Sequence, residues 1–338
     1  LRHRNQTRMK KTLIRWLEHI WYKDPIIGSW LMPLGFLFND ISRCRAWLYR
    51  IGVLKSHKLP VPVLIVGNIT VGGTGKTPLV IWLAHYLKQA GFQPGIISRG
   101  YGGQSETPQT VLADSLVNQV GDEALLIAKQ SGCPVVVATD RVAAARHLLA
   151  HNPCNLIISD DGLQHYSLRR TLEIAVVDGE RRFGNGYCLP AGPLREPIHR
   201  LQRVDLVIIN GEKTEDDRFA MHLQGDVAIN LATGESKPLS AFADTPCHAI
   251  AGIGNPGRFF KQLADAGLNC KNHPFPDHYA YQPGDIAFAD PHPVLMTEKD
   301  AVKCTGFATS QHWFVPVQAV PDADFAVQLL TLLNHKKP

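Results

Sequence analysis

The 338-residue chain is 45% apolar and 19% charged, which excludes a disordered polypeptide and leaves room for one large or two medium hydrophobic cores. Its net charge of +5 is uneven: residues 1–60 hold twelve Lys/Arg against three Asp/Glu, so the rest is net acidic and no nucleic-acid partner is expected. Seven cysteines (Cys44, Cys133, Cys154, Cys188, Cys247, Cys270, Cys304) are scattered without a C-x-x-C pair, which argues against a zinc site or disulfide framework and for a reducing compartment.

The N-terminal segment holds four of the six tryptophans, Trp16, Trp21, Trp30 and Trp47. Met9, Leu13, Trp16, Leu17 and Ile20 repeat at helical spacing, with Lys10, Lys11, Arg15 and His19 largely on other faces. Ile26–Phe38 is uncharged but reaches only about 20 Å as a helix, short of a bilayer, and Pro33 is expected to interrupt it. Ile41–Val53 mixes apolar and arginine positions. Tryptophan with Lys/Arg on amphipathic helices suits a membrane surface with anionic lipids; the alternative is helices packed on the core with a solvated basic face. No secretory signal is convincing, and Met9 is a candidate natural start, so residues 1–8 stay outside the fold argument.

After residue 58 short β-rich runs alternate with helical stretches. The runs are Val63–Val66, Gly95–Ser98, Val135–Thr139, Leu156–Ser159, Ile174–Val177 and Leu206–Asn210; the helices are Leu79–Ala90, Asp122–Gln130 and Arg141–Ala150. This predicts a mainly parallel sheet covered by helices, with sites at the carboxyl ends of the strands. Residues 178–200 are rich in Gly, Pro and Arg and read as a connector. Further strands are expected at Val227–Leu231, Ala249–Ala251, Val294–Thr297 and Trp313–Val317, with helices at Phe259–Ala266 and Asp324–Asn334. The expected organisation is an N-terminal helical segment (1–58), a P-loop nucleotide-binding domain (59–200) and a smaller C-terminal α/β domain (201–338) that closes over the cleft.

Val63–Val66 runs into Gly67-Asn-Ile-Thr70-Val-Gly72-Gly73-Thr74-Gly75-Lys76-Thr77-Pro78. A strand, a glycine-rich loop and a helix start form a cradle of N–H groups for phosphates, with Lys76 on the outer phosphates and the Thr77 hydroxyl on Mg²⁺. Thr70 stands where the general motif has its first glycine. Asp160 and Asp161 end an apolar strand, where a carboxylate beside a phosphate loop holds Mg²⁺ or its waters; Gln164 and His165 follow in the same loop. Arg99 and Tyr101 lie in Ser98-Arg-Gly-Tyr-Gly-Gly103, either a phosphate contact or a tight turn. Asp122 and Glu123 open a helix; Asp122 is either a cap or a proton acceptor for an attacking hydroxyl. Arg141 has the same two readings, helix start or neutraliser of the transferring phosphate. Phe275-Pro-Asp277-His278-Tyr279 and Thr297-Glu-Lys-Asp300 are dense in ionisable groups; the latter has Lys in the third place, not the second of the guanine-reading motif, so GTP is not expected.

Together, Gly67–Pro78, Ser98–Gly103, Val120-Gly-Asp-Glu123, Asp160-Asp-Gly-Leu-Gln-His165, Leu189-Pro-Ala-Gly-Pro-Leu-Arg-Glu196, Phe275–His278 and Thr297–Asp300 resemble the tetraacyldisaccharide 4′-kinase family, the lipid A 4′-kinases of Gram-negative bacteria. Thr70 matches that family's loop. The resemblance implies a P-loop NTPase-type α/β fold that uses ATP and Mg²⁺. It implies γ-phosphate transfer to the 4′-hydroxyl of a tetraacyldisaccharide 1-phosphate, at the cytoplasmic face of the inner membrane. It implies Asp122 as the catalytic aspartate with His278 its partner, Lys76 on the phosphates, and Thr77, Asp160 and Asp161 on the metal. Arg99, Tyr101, Glu123, Arg141, Gln164, His165 and Arg195 follow as substrate or phosphate contacts. The alternative is a membrane-recruited P-loop ATPase of the partitioning or targeting type.

Overall fold

The computed structural model describes residues 16–17, 19–23, 30–103 and 107–336. In chain order the elements are α1 (Met32–Arg50), β1 (Val63–Gly67), α2 (Lys76–Gln89), β2 (Pro94–Ser98), β3 (Gln109–Val111), α3 (Val117–Val120), α4 (Asp122–Ser131), β4 (Val135–Val137), α5 (Arg141–His151), β5 (Leu156–Ser159), β6 (Leu172–Asp178), β7 (Leu206–Asn210) and β8 (Phe219–Gln224). There follow β9 (Val227–Asn230), β10 (Ser236–Pro238), β11 (Cys247–Ala251), α6 (Pro256–Asp265), β12 (Cys270–Pro274), α7 (Pro283–Ile286), β13 (Val294–Thr297), α8 (Glu298–Cys304), β14 (His312–Val315), β15 (Gln318–Pro321) and α9 (Ala323–His335).

These elements gather into two compact units, each discontinuous in sequence. One comprises Leu1–Thr74, Asp161–Met221 and Pro321–Pro338; the other comprises Gly75–Asp160 and His222–Val320. In the first, β1 pairs with β6 and β6 with β7, all parallel, and β7 continues in parallel onto the start of β8. Every residue of β1 and β6 is buried, which is why Val63–Val66 and Ile174–Val177 read as unbroken apolar runs rather than alternating ones.

The second unit carries β5, β2 and β4 in parallel, with β3 antiparallel on β4. It also carries a six-stranded sheet in the order β10-β9-β14-β13-β11-β12, whose four strands β14, β13, β11 and β12 are parallel. One face of that sheet packs Phe242, Phe259, Leu263 and Trp313; the other packs Tyr281, Ile286, Met296 and Cys304. Local chemistry starts the helices. Asp140 Oδ1 accepts the Val142 N–H at 2.8 Å to cap α5, and Thr297 Oγ1 accepts the Asp300 N–H at 3.2 Å to cap α8.

Helix α2 begins at Lys76, where the loop motif was expected to open it, with Pro78 inside its first turn. Two expectations change. Pro33 does not interrupt a helix; it sits in the first turn of α1, where no N–H is needed, and α1 runs on through Ile41 to Arg50. Cys247 and Cys270 occupy paired positions on β11 and β12 and form a disulfide, a pair that spacing in the chain does not reveal. Among the described residues, no helix is long and apolar enough to cross a membrane.

At the N-terminus, Ile20 is fully buried and the Trp21 indole donates to the Pro190 carbonyl at 3.0 Å, so this part packs on the protein. Met9, Lys10, Lys11, Leu13, Arg15 and residues 24–29 lie outside the described residues. Helix α1 differs: Leu34, Phe36, Leu37, Ile41 and Trp47 are exposed, flanked by exposed Arg43, Arg45 and Arg50.

Candidate active site

The phosphate loop leaves β1 through Asn68, Ile69 and Thr70. Residues 69–71 are laced to the 193–195 segment: Arg195 N–H donates to the Ile69 carbonyl at 2.7 Å and Val71 N–H to the Pro193 carbonyl at 2.8 Å. Thr70 and Leu194 form an antiparallel bridge. The Leu189–Glu196 stretch, read as connector, is thus a brace for the loop's entry. Further along, the Asn210 amide at the end of β7 donates to the Thr74 carbonyl at 3.0 Å. Gly72 and Gly75 take φ of +100° and +94°, a backbone that side chains disfavour and that turns the chain into α2. Tyr22, Asp178, Arg181 and Arg182 line a small cleft with Thr70–Thr74, an association that the sequence left unmarked.

Asp160 and Asp161 end β5 with different surroundings. Asp160 is buried, and its Oδ2 accepts the Ser98 hydroxyl at 3.0 Å. Asp161, with φ of +48°, receives Arg195 Nη1 on both oxygens at 3.0 and 3.2 Å. Two expected roles, a metal carboxylate and a phosphate-binding arginine, therefore meet as one ion pair. Arg141 is 1% exposed and donates to the Ala138 carbonyl at 2.8 Å, so it ties down the end of β4; Asp140 does the capping. Gln164 donates to the Asn68 carbonyl at 3.1 Å and to Glu196 at 2.8 Å, and the His165 carbonyl accepts from Arg170 at 2.7 Å. Arg99 is exposed just past β2.

The second unit brings Asp122, His278, Tyr101 and Glu123 together. His278 Nδ1 lies 3.0 and 3.1 Å from the two Asp122 carboxylate oxygens, and the Tyr101 ring sits 4.6 Å from the His278 ring. His278 has φ of +55°, a conformation costing about 1 kcal/mol or more for a non-glycine residue, sustained here by its contacts with Asp122 and Tyr101. Asp122 is 3% exposed. Burial alone would raise its pKa, but the His278 hydrogen bond and the Lys299 and Lys303 ammoniums outweigh that and hold it at about 2. Burial would likewise lower the His278 pKa, and the Asp122 carboxylate reverses this, so His278 titrates above its ordinary value. The pair is a fixed carboxylate with an imidazole poised to carry a proton.

Gly121 makes this approach possible. With φ of +86°, a Cβ there would lie 2.5 Å from the Tyr101 carbonyl oxygen. Gly121→Ala is expected to destabilise the protein by about 1–3 kcal/mol, read by denaturant unfolding; an unchanged midpoint would contradict this packing account.

A profile of the family described as Tetraacyldisaccharide-1-P 4'-kinase matches residues 27–334. The chain is 54% identical over 316 residues to the tetraacyldisaccharide 4'-kinase of Nitrosococcus oceani, covering 93% of each protein. It is 51% identical over 329 residues to that of Methylobacillus flagellatus, covering 97% of this chain and 98% of the relative. The chain belongs to the tetraacyldisaccharide 4'-kinase family. Its fold is similar to the crystal structure of LpxK from Aquifex aeolicus in complex with ATP, with a TM-score of 0.77 and 30% identity over 92% of this chain and 99% of that one. The family assignment made from motifs and the α/β fold class both stand.

Beyond the expected residues, α8 contributes two lysines that sequence reasoning passed over. Lys299 Nζ lies 2.9 Å from Glu123, 3.1 Å from Asp277 and 3.5 Å from His278 Nε2. Lys303 Nζ lies 2.7 Å from Asp300 and 3.7 Å from Asp122. The Thr297–Asp300 motif was visible, but its use depends on α8 packing against α4.

Proposed function

We propose that the chain is an ATP-dependent kinase that transfers the γ-phosphate to the 4′-hydroxyl of a tetraacyldisaccharide 1-phosphate, giving lipid IVA in lipid A biosynthesis. The observation that carries this reading is the contact at 3.0 Å between buried Asp122 and half-buried His278, in a family member with a phosphate loop. A sugar hydroxyl is far too weak an acid to ionise first. In a loose phosphoryl-transfer transition state its proton becomes acidic only as the new P–O bond forms. A low-pKa carboxylate backed by imidazole can take the proton at that late stage. Asp122 supplies the fixed negative charge, and His278 orients that carboxylate and shares the proton.

The loop N–H groups of Gly72–Thr77 and the start of α2 bind the phosphate chain, and Lys76 neutralises the γ-phosphate oxygens as they move. Mg²⁺ fits the donor set of the Thr77 hydroxyl and Asp160. Such an ion takes one or two carboxylates and completes its shell with substrate phosphates and water. When bound, it would neutralise charge on the β- and γ-phosphate oxygens. Asp161 would join that set, and its partner Arg195 would serve a phosphate. In this reading Arg99 and Tyr101 serve the acceptor or its phosphate, as do Gln164 and His165 from the loop after Asp161.

In this reading residues 59–200 carry the nucleotide-binding face and 201–338 bring His278. Residues 1–58 dock on the cytoplasmic face of the inner membrane as a peripheral or monotopic segment. Acyl chains leave a bilayer only at about 0.8 kcal/mol per CH₂, so the enzyme must come to the surface. Helix α1 suits this, with Leu37 and Ile41 57% and 60% exposed on one face. Leu37→Asp with Ile41→Asp is expected to lower partitioning into anionic vesicles at least tenfold, from the loss of about 1.5–3 kcal/mol per buried side chain. Unchanged co-sedimentation would move the docking role elsewhere. The kinase reading itself is tested by measuring ATP turnover with and without the lipid acceptor. Turnover that depends on the acceptor supports transfer, and equal turnover without it supports a switch ATPase.

A further inference from the structure

We propose that Lys299 and Lys303, one turn apart on α8, are positioning residues that fix the His278 ring and the charge state of the Asp122–His278 pair. The proposal rests on the reading of that pair as the proton acceptor. The pair sits among carboxylates supplied by several elements: Glu123 beside Asp122 on α4, Asp277 in the loop after β12, and Asp300 on α8. Four carboxylates this close repel one another and favour protonation of Asp122 unless cations offset them. The two lysine ammoniums are those cations. Their side chains are only 15% and 6% exposed, and spacing of four puts both on one face of α8.

Their placement is rigid. Thr297 caps α8, and the Thr297 hydroxyl donates to Asp300 Oδ2 at 2.6 Å. The same Asp300 oxygen accepts the Gly252 N–H at 2.8 Å, which ties α8 to the end of β11. Asp300 in turn holds Lys303, which lies 5.1 Å over the Tyr281 ring and faces Asp122. Lys299 spans Glu123 and Asp277 and reaches His278 Nε2, the ring atom turned away from Asp122. An ammonium there can only donate, so it favours the neutral ring with its proton on Nδ1, toward Asp122. Burial alone would lower the Lys299 pKa, but Glu123, Asp277 and Asp122 raise it well above the ordinary value, so this charge is permanent.

The sign follows directly. Lys299 disfavours the protonated imidazole, so removing its charge makes His278 easier to protonate. In full-length Lys299→Met, the His278 titration, followed by NMR with labelled histidine and assigned with His278→Gln, is expected to rise by about one pH unit. The acid limb of the kcat profile is expected to rise with it, while Lys299→Arg stays near the wild-type position. A folded Lys299→Met protein whose His278 titration does not move overturns the proposal and leaves the lysine a merely structural role. Should that variant fail to fold, Lys299→Gln removes the same charge and gives the same readout, and no shift there overturns it equally. The NMR titration does not depend on turnover. Wild-type activity in Asp122→Asn would remove the reading of the pair as proton acceptor while the titration still decides the lysines' role.

Discussion

Asp122→Asn is expected to lower kcat by about 10²- to 10⁴-fold, the range for removing a positioned general base, while ATP binding is retained. The substitution keeps the size and shape of the side chain and deletes its charge. Lys299 keeps Glu123 and Asp277, and Lys303 keeps Asp300, so neither buried ammonium is stranded and the fold survives. What changes is the pair. His278 loses the carboxylate that raises its pKa, and no anion remains to receive the late proton. Asp122 bonds His278, and its proposed role is in proton transfer, so the loss belongs in kcat and not in nucleotide affinity. Steady-state kinetics with saturating lipid, beside nucleotide binding measured directly, separates the two. Wild-type turnover would contradict the role of Asp122, and a parallel loss of ATP binding would make that role structural.

Lys76→Met is expected to act on both quantities. Lys76 opens α2 directly after the left-handed Gly75, and Asn210 fixes the preceding Thr74 carbonyl, so its ammonium starts from a braced loop. In the proposed reading its charge serves bound ATP as well as the transition state. We expect kcat to fall by about 10²- to 10³-fold, as for loss of one preorganised charge stabiliser, with weaker ATP binding as well. The contrast with Asp122→Asn is the informative part: one variant binds ATP and does not turn over, whereas the other does both poorly. A Lys76→Met enzyme with wild-type kcat would contradict the loop's assignment.

The elements that the sequence made legible are those governed by local rules. Val63–Gly67, Pro94–Ser98 and Leu156–Ser159 are short, fully buried and β-branched, and each emerged within a residue of its observed bounds. Strands β8 and β12 were missed because FAMHLQ and CKNHP are half exposed and carry histidine, lysine and asparagine, so neither alternates cleanly. Pro33 was read as a break because the sequence does not say whether a proline falls inside a helix or at its start.

The site divides in the same way. The Lys76 loop and the Asp160–Asp161 strand end are contiguous motifs with a mechanism attached. Pairs joined only by packing were not legible: Asp161 with Arg195, Lys303 with Asp122, and Cys247 with Cys270 across two strands. His278 and Asp122 lie 156 positions apart. Only the family resemblance linked them before the coordinates did. Arg141 carried two readings from the sequence, and its guanidinium donates to the Ala138 carbonyl at the end of β4 and to the Asp160 carbonyl beyond β5.

The central claim is that phosphate leaves ATP for a sugar hydroxyl on a lipid. The most direct measurement incubates the purified chain with γ-labelled ATP, Mg²⁺ and detergent-dispersed tetraacyldisaccharide 1-phosphate, and follows the label into the lipid fraction, with the product identified by mass. The account predicts label in a bisphosphorylated disaccharide lipid, dependent on Asp122. Label appearing only as inorganic phosphate, at a rate indifferent to the lipid, would contradict it.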